Sequence, residues 1–217
     1  MLLLDSARAD DARRAAALGF VRGATTNPAL MAVTGRRAED VIPQLADILP
    51  GTVFHQLTGE TPDEREAEAH RFAALRPGRI GIKVPCTTEN LGLVARLAAD
   101  GLTCAVTAIF SPAQAVLAVE AGSGYLIPYV NRTTRLLGDG PALVRELRQV
   151  IDALGAPTRI IAASVKSDQE AVAALVAGAH WLTLPLPVLE TLGEHPASLA
   201  AIEEFRAATQ ARLQEAT

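Results

Sequence analysis

One alternation runs the length of this chain and constrains its fold more than any single residue does. Eight short apolar runs, at residues 2–4, 20–22, 52–54, 79–84, 102–106, 125–130, 159–163 and 180–184, are separated by longer alanine-rich segments with apolar residues at helical spacing. Each run is too short for a stable helix, which predicts a strand, and strands joined by helices read as parallel βαβ units. The helical segments carry their own start and stop signals. Thr61-Pro62-Asp63-Glu64, Ser111-Pro112-Ala113-Gln114 and Ser167-Asp168-Gln169-Glu170 each place a capping hydroxyl three residues before Glu or Gln. Gly101, Gly122, Gly155 and Gly178 follow helical patterns, where a left-handed cap is expected.

Eight strand–helix units can close as an open doubly wound sheet or as a barrel. The first run leads into Asp5-Ser6-Ala7-Arg8-Ala9-Asp10, not the Gly-x-Gly-x-x-Gly of a dinucleotide-binding turn, and no Gly-rich phosphate loop ending in Gly-Lys-Ser/Thr is present. Eight units in 217 residues fit a compact α/β chain closed as a (β/α)₈ TIM barrel. The pattern from about 197 to 212 adds a C-terminal helix. No linker or low-complexity stretch interrupts the sequence, so a single domain over residues 1–217 is expected.

Composition narrows the partners. A net charge of −4 with no Lys/Arg stripe argues against nucleic acid. No apolar stretch approaches the roughly 20 residues of a membrane span, and the opening Met-Leu-Leu-Leu-Asp lacks the basic flank of a signal peptide, so a cytoplasmic, membrane-free protein is expected. The two cysteines, Cys86 and Cys104, and the four histidines lack metal-ligand spacing, and neither a metal nor any other cofactor is expected.

Arginine supplies 18 of the 20 basic residues, and only Lys83 and Lys166 are lysine. Guanidinium stays protonated, whereas a desolvated lysine can lose its proton and attack a carbonyl. Lys83 stands inside Ile80-Gly81-Ile82-Lys83-Val84-Pro85, where an ammonium is costly unless its pKa falls or it finds a partner. In a barrel the carboxyl ends of the strands converge on one mouth. Polar residues end most of the runs: Asp5 after the first, Thr25-Thr26-Asn27 after the second, Gln56 after the third, and Thr107 after the fifth. Tyr129 lies on the sixth with Asn131-Arg132 behind it, and Ser164-Val165-Lys166 follows the seventh. Strand alternation turns His55 away from the mouth toward the helices, as a packing residue, and sets Ala105 and Ile127 on the inward face beside Thr107 and Tyr129.

These segments also carry a family resemblance. Gly23-Ala24-Thr25-Thr26-Asn27-Pro28-Ala29-Leu30-Met31 resembles the first signature of the transaldolase family, and Ile82-Lys83-Val84-Pro85-Cys86-Thr87 resembles its Schiff-base lysine motif. Pro128-Tyr129-Val130-Asn131-Arg132, Ala162-Ala163-Ser164-Val165-Lys166 and Thr183-Leu184-Pro185-Leu186 follow in the family's order. The resemblance implies that Lys83 forms an iminium with a ketone donor, without a metal. Asp5, Thr26 and Asn27 would then bind and orient the donor, while Arg132, Ser164 and Lys166 hold the phosphate of an acceptor aldehyde. Transaldolases usually place Glu and Phe where this chain has Gln56 and Tyr129. That pair, with Thr107 as the third holder of a catalytic water, is similar to the fructose-6-phosphate aldolase branch. A lyase acting on dihydroxyacetone or a related hydroxyketone is the expectation, and a transaldolase the alternative, supported by Ile109-Phe110-Ser111-Pro112-Ala113-Gln114. A barrel that binds sugar phosphate without catalysis and a deoxyribose-phosphate type of Schiff-base aldolase are further alternatives, the latter disfavoured by Thr25-Thr26-Asn27-Pro28. Asn90, where the family often has Gly, is expected to touch only the start of the next helix. Small members of the family form pentamer-based decamers, which implies a homo-oligomer.

Overall fold

The structure, a computed structural model, describes residues 1–215. Its strands are β1 (Leu2–Asp5), β2 (Val21–Thr25), β3 (Val53–Gln56), β4 (Ile80–Pro85), β5 (Cys104–Ile109), β6 (Tyr125–Pro128), β7 (Arg159–Ala162) and β8 (Trp181–Leu184). They pair in sequence order, all parallel, and β8 returns to β1 through Leu3↔Thr183 and Leu4↔Leu184. The fold is therefore a closed (β/α)₈ barrel. Around it lie α1 (Ala9–Ala17), α2 (Pro28–Thr34), α3 (Ala38–Ile48), α4 (Pro62–Leu75), α5 (Thr88–Ala99), α6 (Pro112–Glu120), α7 (Val130–Leu137), α8 (Gly140–Ala153), α9 (Asp168–Val176) and α10 (Leu186–Thr191), followed by α11 (Pro196–Glu215). No helix among the described residues is long and apolar enough to cross a membrane.

Alternation along the strands divides the core in two. Leu4, Val53, Ile82, Val84, Val106, Leu126, Ile160 and Leu182 point outward and pack with the helices. Leu3, Phe54, Ala105, Ile127, Ile161 and Trp181 point inward and form their own cluster, with Tyr125 and Tyr129 packed against it. A fully buried Leu, Ile or Phe contributes about 1.5–3 kcal/mol relative to exposure, so the two layers together supply most of what closes the barrel. Glycine makes part of the inner packing possible. A Cβ on Gly81 would lie 2.6 Å from the Phe54 ring. Phe54 meets Tyr125 edge-on at 5.3 Å, and Tyr125 lies 4.9 Å from Trp181, so an aromatic floor spans the barrel.

The structure moves three expected boundaries. The second strand is read from the sequence at 20–22, but Phe20 is exposed and the strand runs to Thr25. Gly23 and Ala24 have poor strand propensity, yet a Cβ on Gly23 would lie 2.1 Å from the Thr52 carbonyl, so close strand approach demands glycine there. The fifth strand continues past Val106 to Ile109, its pairing to β6 shifting across Ala108, which has a φ of 57°. Tyr129 lies just beyond β6, as the residue before α7, and keeps only a single bridge to Ala163.

The helix signals read more simply. Thr61 and Ser111 close full capping boxes, while Ser167 caps α9 through the Glu170 amide. The four expected glycine caps all have positive φ, from 59° to 112°. Leu199, Ile202 and Phe205 on α11 are exposed.

Candidate active site

The carboxyl ends of the strands enclose a cavity of about 320 Å³ lined by Asp5, Gln56, Lys83, Tyr129, Ser164 and Lys166, with Thr25, Asn27 and Arg132 also on its wall. Eight of the ten residues singled out from the sequence therefore face one space. Thr26 and Thr107 do not, and each has a different task.

Lys83 is 3% exposed, and its Nζ donates to the Thr26 carbonyl at 3.0 Å. Burial lowers its pKa from 10.5 to about 8, with Asp5 acting in the opposite sense. Asp5 answers it. Burial pushes its carboxyl above the usual carboxylate range, while Lys83, the Thr25 hydroxyl and Lys166 pull it back. Thr25 Oγ1 donates to Asp5 Oδ1 at 3.1 Å, so the 2.7 Å bond between the Thr25 and Thr183 hydroxyls must have Thr183 as donor. That chain of hydroxyls leaves the rest of the Asp5 carboxylate turned to the cavity. With a pKa of about 8, roughly a tenth of the amine beside it is deprotonated at pH 7, far more than an ordinary lysine offers, and that is the state a nucleophile needs.

The Thr26 side chain is the expectation the structure corrects. Its hydroxyl donates to the Phe54 carbonyl at 2.9 Å and it is fully buried, so it holds β2 to β3 and presents only its carbonyl to Lys83. Thr25, one residue earlier, is the threonine on the cavity wall. Strand period two carries the inward face from Gly23 to Thr25, a signal present in the sequence. Asn27 has a double position. Its Oδ1 accepts from the Leu30 amide at 3.0 Å and caps α2, while its side chain borders the cavity.

Gln56 pairs in register with Lys83 across β3 and β4, and its Oε1 is buried with no partner among the described residues. Thr107 is fully buried behind the wall and donates to the Tyr129 hydroxyl at 3.2 Å. A buried acceptor without a donor is costly, which suits a site that takes up a polar ligand or water. The Arg132 guanidinium stacks 4.7 Å from the centre of the Tyr129 ring. Ser164, with a φ of 56°, and exposed Lys166 complete that side. Three cations and one carboxylate make the cavity favourable for an anion.

His55 lies on the opposite face of β3, as alternation requires. It stacks on Phe72 with centroids 3.6 Å apart, and its Nε2 lies 2.7 Å from Glu68. Glu68 was not singled out in the sequence. Its carboxylate also accepts from the Thr58 and Gly59 amides, both at 2.9 Å, and despite the opposing effect of burial these bonds bring its pKa to about 2. Asn90 reaches further than expected: Nδ2 donates to the Pro85 carbonyl at 2.8 Å and Oδ1 accepts from Arg65 at 2.6 Å, tying the end of β4 to the helical layer. No group of three His, Cys, Asp or Glu side chains among the described residues could hold a metal.

Comparison with known proteins gives this site a family. The model of the transaldolase/fructose-6-phosphate aldolase family matches residues 2–217. A protein of Symbiobacterium thermophilum named "Probable transaldolase" is 37% identical over 204 residues, covering 94% of each chain. A "Probable transaldolase" of Heliobacterium modesticaldum is 39% identical over 202 residues, covering 93% of this chain and 94% of that one. A solved mandelate oxidase carrying an FMN adduct superposes with a TM-score of 0.61 at 16% identity, over 85% of this chain and 63% of the oxidase, which reflects the shared barrel alone. With the lysine motif, the Thr-Thr-Asn-Pro segment and the closed barrel all in place, the chain belongs to the transaldolase/fructose-6-phosphate aldolase family.

Proposed function

We propose that this protein is a Schiff-base aldolase of the fructose-6-phosphate aldolase type, acting on dihydroxyacetone or a related small hydroxyketone and an aldehyde such as glyceraldehyde 3-phosphate. The observation that carries the reading is Lys83: a buried amine with a pKa near 8, facing a carboxylate at the mouth of the barrel. Its Nζ adds to the ketone carbon, and loss of water leaves an iminium. The C3–C4 bond then breaks, its electron pair passing into the iminium, as the C4 hydroxyl gives up its proton and becomes the aldehyde. Protonation of the resulting enamine and hydrolysis return free Lys83 and dihydroxyacetone. Covalent catalysis of this kind replaces a free carbanion with a neutral enamine.

Proton transfer falls to a water held by Gln56 and Tyr129, with Thr107 fixing the Tyr129 hydroxyl from behind. Asp5 and Asn27 orient the donor hydroxyls. Arg132, Ser164 and Lys166 receive the acceptor phosphate, Arg132 through its planar donor fork. In this reading the enzyme is cytoplasmic and homo-oligomeric, built on pentamers that pair as a decamer. The exposed Leu199, Ile202 and Phe205 of α11 supply apolar surface for a neighbouring copy.

A second reading, transaldolase, is favoured by the names of the relatives. In that case the enamine waits for an aldose phosphate instead of being protonated. Incubation with fructose 6-phosphate separates the two. Free dihydroxyacetone accumulating without an acceptor supports the lyase. Turnover only when erythrose 4-phosphate is added selects the transferase. Borohydride reduction with dihydroxyacetone, followed by peptide mapping, should label Lys83, and Lys83→Arg should keep the charge and lose the adduct. An active Lys83→Arg enzyme would overturn both readings.

A further inference from the structure

Three helix starts of this chain share the capping-box sequence pattern but not its wiring. In α4, Glu64 Oε2 accepts from the Thr61 and Glu60 amides, and in α6, Gln114 Oε1 accepts from the Ser111 and Phe110 amides. Both side chains turn back on their own helix start. Glu170 of α9 keeps only half of that pattern. Its Oε2 accepts from the Lys166 amide at 2.7 Å, and its Oε1 leaves the helix to accept from Asn131 Nδ2 at 2.6 Å.

Those two donors belong to the segments that follow β6 and β7 and frame one side of the cavity. Asn131 sits between Tyr129 and Arg132 in the first turn of α7, and Lys166 follows Ser164 after β7. The main chains of the two segments already meet, since the Asn131 amide donates to the Ser164 carbonyl at 3.0 Å and the Val130 amide to the Ala163 carbonyl at 2.8 Å. A main-chain zipper fixes how far apart the segments are. The packing of α8 at Gly140 against the Val130 carbonyl holds the far side of that turn, and the side toward the loop after β7 has Glu170 as its side-chain tie; a roll there would swing Arg132 off the Tyr129 ring. We propose that Glu170 is a positioning residue that locks α7 against the loop after β7, setting Arg132, Ser164 and Lys166 as one anion-binding arm. The proposal rests on the reading of those three residues as the acceptor-phosphate site, and it adds a residue outside the cavity that determines the arm's geometry.

Carboxylate acceptors make the stronger class of hydrogen bond, and the donors here are an amide N–H₂ and a main-chain N–H. Glu170→Ala removes both bonds. Asn131→Asp sets two carboxylates against each other. The double variant Asn131→Asp/Glu170→Gln restores the pair with donor and acceptor exchanged, because the Gln amide N–H₂ donates to Asp while its oxygen still accepts from the Lys166 amide.

Binding of inorganic phosphate, read by titration calorimetry, requires neither donor nor Schiff base. Affinity should fall about tenfold or more in Glu170→Ala and Asn131→Asp and recover to within about threefold in the double variant. The Michaelis constant for glyceraldehyde 3-phosphate should follow the same order, while that for unphosphorylated glyceraldehyde moves less than about twofold. Dihydroxyacetone should label Lys83 equally in all four proteins. Equal phosphate affinity in parent and single variants overturns the proposal, as does a parent that binds no phosphate, a double variant no better than Asn131→Asp, or an equal rise for both aldehydes. A phosphate series that behaves as expected while the parent fails to trap dihydroxyacetone upholds the clamp and removes the Schiff-base reading.

Discussion

Two residues along the same strands separate the halves of the barrel interior. Leu3 and Asp5 share the inward face of β1, Phe54 and Gln56 that of β3, Gly81 and Lys83 that of β4, and Ala105 and Thr107 that of β5. The lower member of each pair is apolar or lacks a side chain, and the aromatic ring contacts from Phe54 through Tyr125 to Trp181 close that level. The upper members bring an amine, a carboxylate, an amide and a hydroxyl into or against a cavity of about 320 Å³. Alternation alone treats both levels as interior. What divides them is position along the strand, because only the carboxyl end opens to the loops. The lower level stabilises the fold, and the upper level holds chemistry at the expense of stability.

Lys83 tests that division most severely. Lys83→Met should reduce turnover by on the order of 10⁴-fold, the scale of losing a covalent nucleophile, and abolish borohydride trapping. It should also raise the melting temperature. The folded-state pKa of about 8 lies below the ordinary 10.5, so burial costs stability, by roughly 3 kcal/mol where both states are protonated. That cost is fully present below pH 8 and fades as pH rises toward 10.5, because the unfolded chain then binds the extra proton. The gain in Lys83→Met should therefore be largest at pH 7 and shrink at pH 10, as followed by thermal denaturation. In the parent, the rate of adduct formation should climb through pH 8 as the amine loses its proton. A Lys83→Met protein that melts lower at pH 7 would show that the amine contributes to stability and would break the comparison.

The converse variant lies on the floor. Trp181→Ala removes a buried ring packed on Tyr125 and should cost about 3–5 kcal/mol in urea unfolding, yet leave the adduct yield per folded molecule unchanged. If the adduct disappears with stability, the two levels are one unit. Tyr129→Phe sharpens the upper level alone. Loss of the hydroxyl that accepts from Thr107 should lower turnover about 10²-fold, while the denaturation midpoint moves little. Trapping at Lys83 should persist if the hydroxyl serves the carbon–carbon step; loss of trapping as well would place it at iminium formation.

Much of the lower level was legible in the sequence, because period-two alternation and helix caps are local signals. The eight runs, the three capping hydroxyls and the outward turn of His55 all depend on residues within a few positions of one another. Where the reading slipped, the cause was tertiary. Gly23 belongs to a strand because Thr52 approaches its backbone, which no propensity records. The motif places Thr25 and Thr26 side by side before Asn27; period two from Gly23 points Thr25 inward only once Gly23 is known to lie in the strand, and the bond to the Phe54 carbonyl then takes the Thr26 hydroxyl out of the cavity. Glu68 looks in the sequence like an ordinary surface carboxylate on an amphipathic helix, and Glu170 like the glutamate of a capping box that turns back on its own helix. Their partners lie 10 residues away at Thr58 and 39 residues away at Asn131, and only the folded barrel supplies them. Lys83, the proposed nucleophile, was the most legible part of the upper level, since a lysine inside an apolar strand is anomalous before any fold is known.

The smallest expected effect belongs to Asn90, which ties the upper end of β4 to the helical layer. Its amide donates to the Pro85 carbonyl, two residues beyond Lys83, and accepts from Arg65, whose guanidinium also reaches Glu89. If the parallel ladder of β3, β4 and β5 by itself sets the position of Lys83, Asn90→Ala should cost about 1–2 kcal/mol for the lost bonds and leave turnover within about threefold. The Leu57 amide to the Lys83 carbonyl and the Cys86 amide to the Thr107 carbonyl, at 3.0 and 2.9 Å, are the main-chain bonds that would bear this burden. Urea unfolding and steady-state turnover, measured on the same preparation, separate the two contributions. A tenfold fall in turnover with a small stability loss would mean that the barrel ladder alone does not aim the amine. The mouth would then depend on side chains anchored in the helical layer, as the arm held by Glu170 does on its other side.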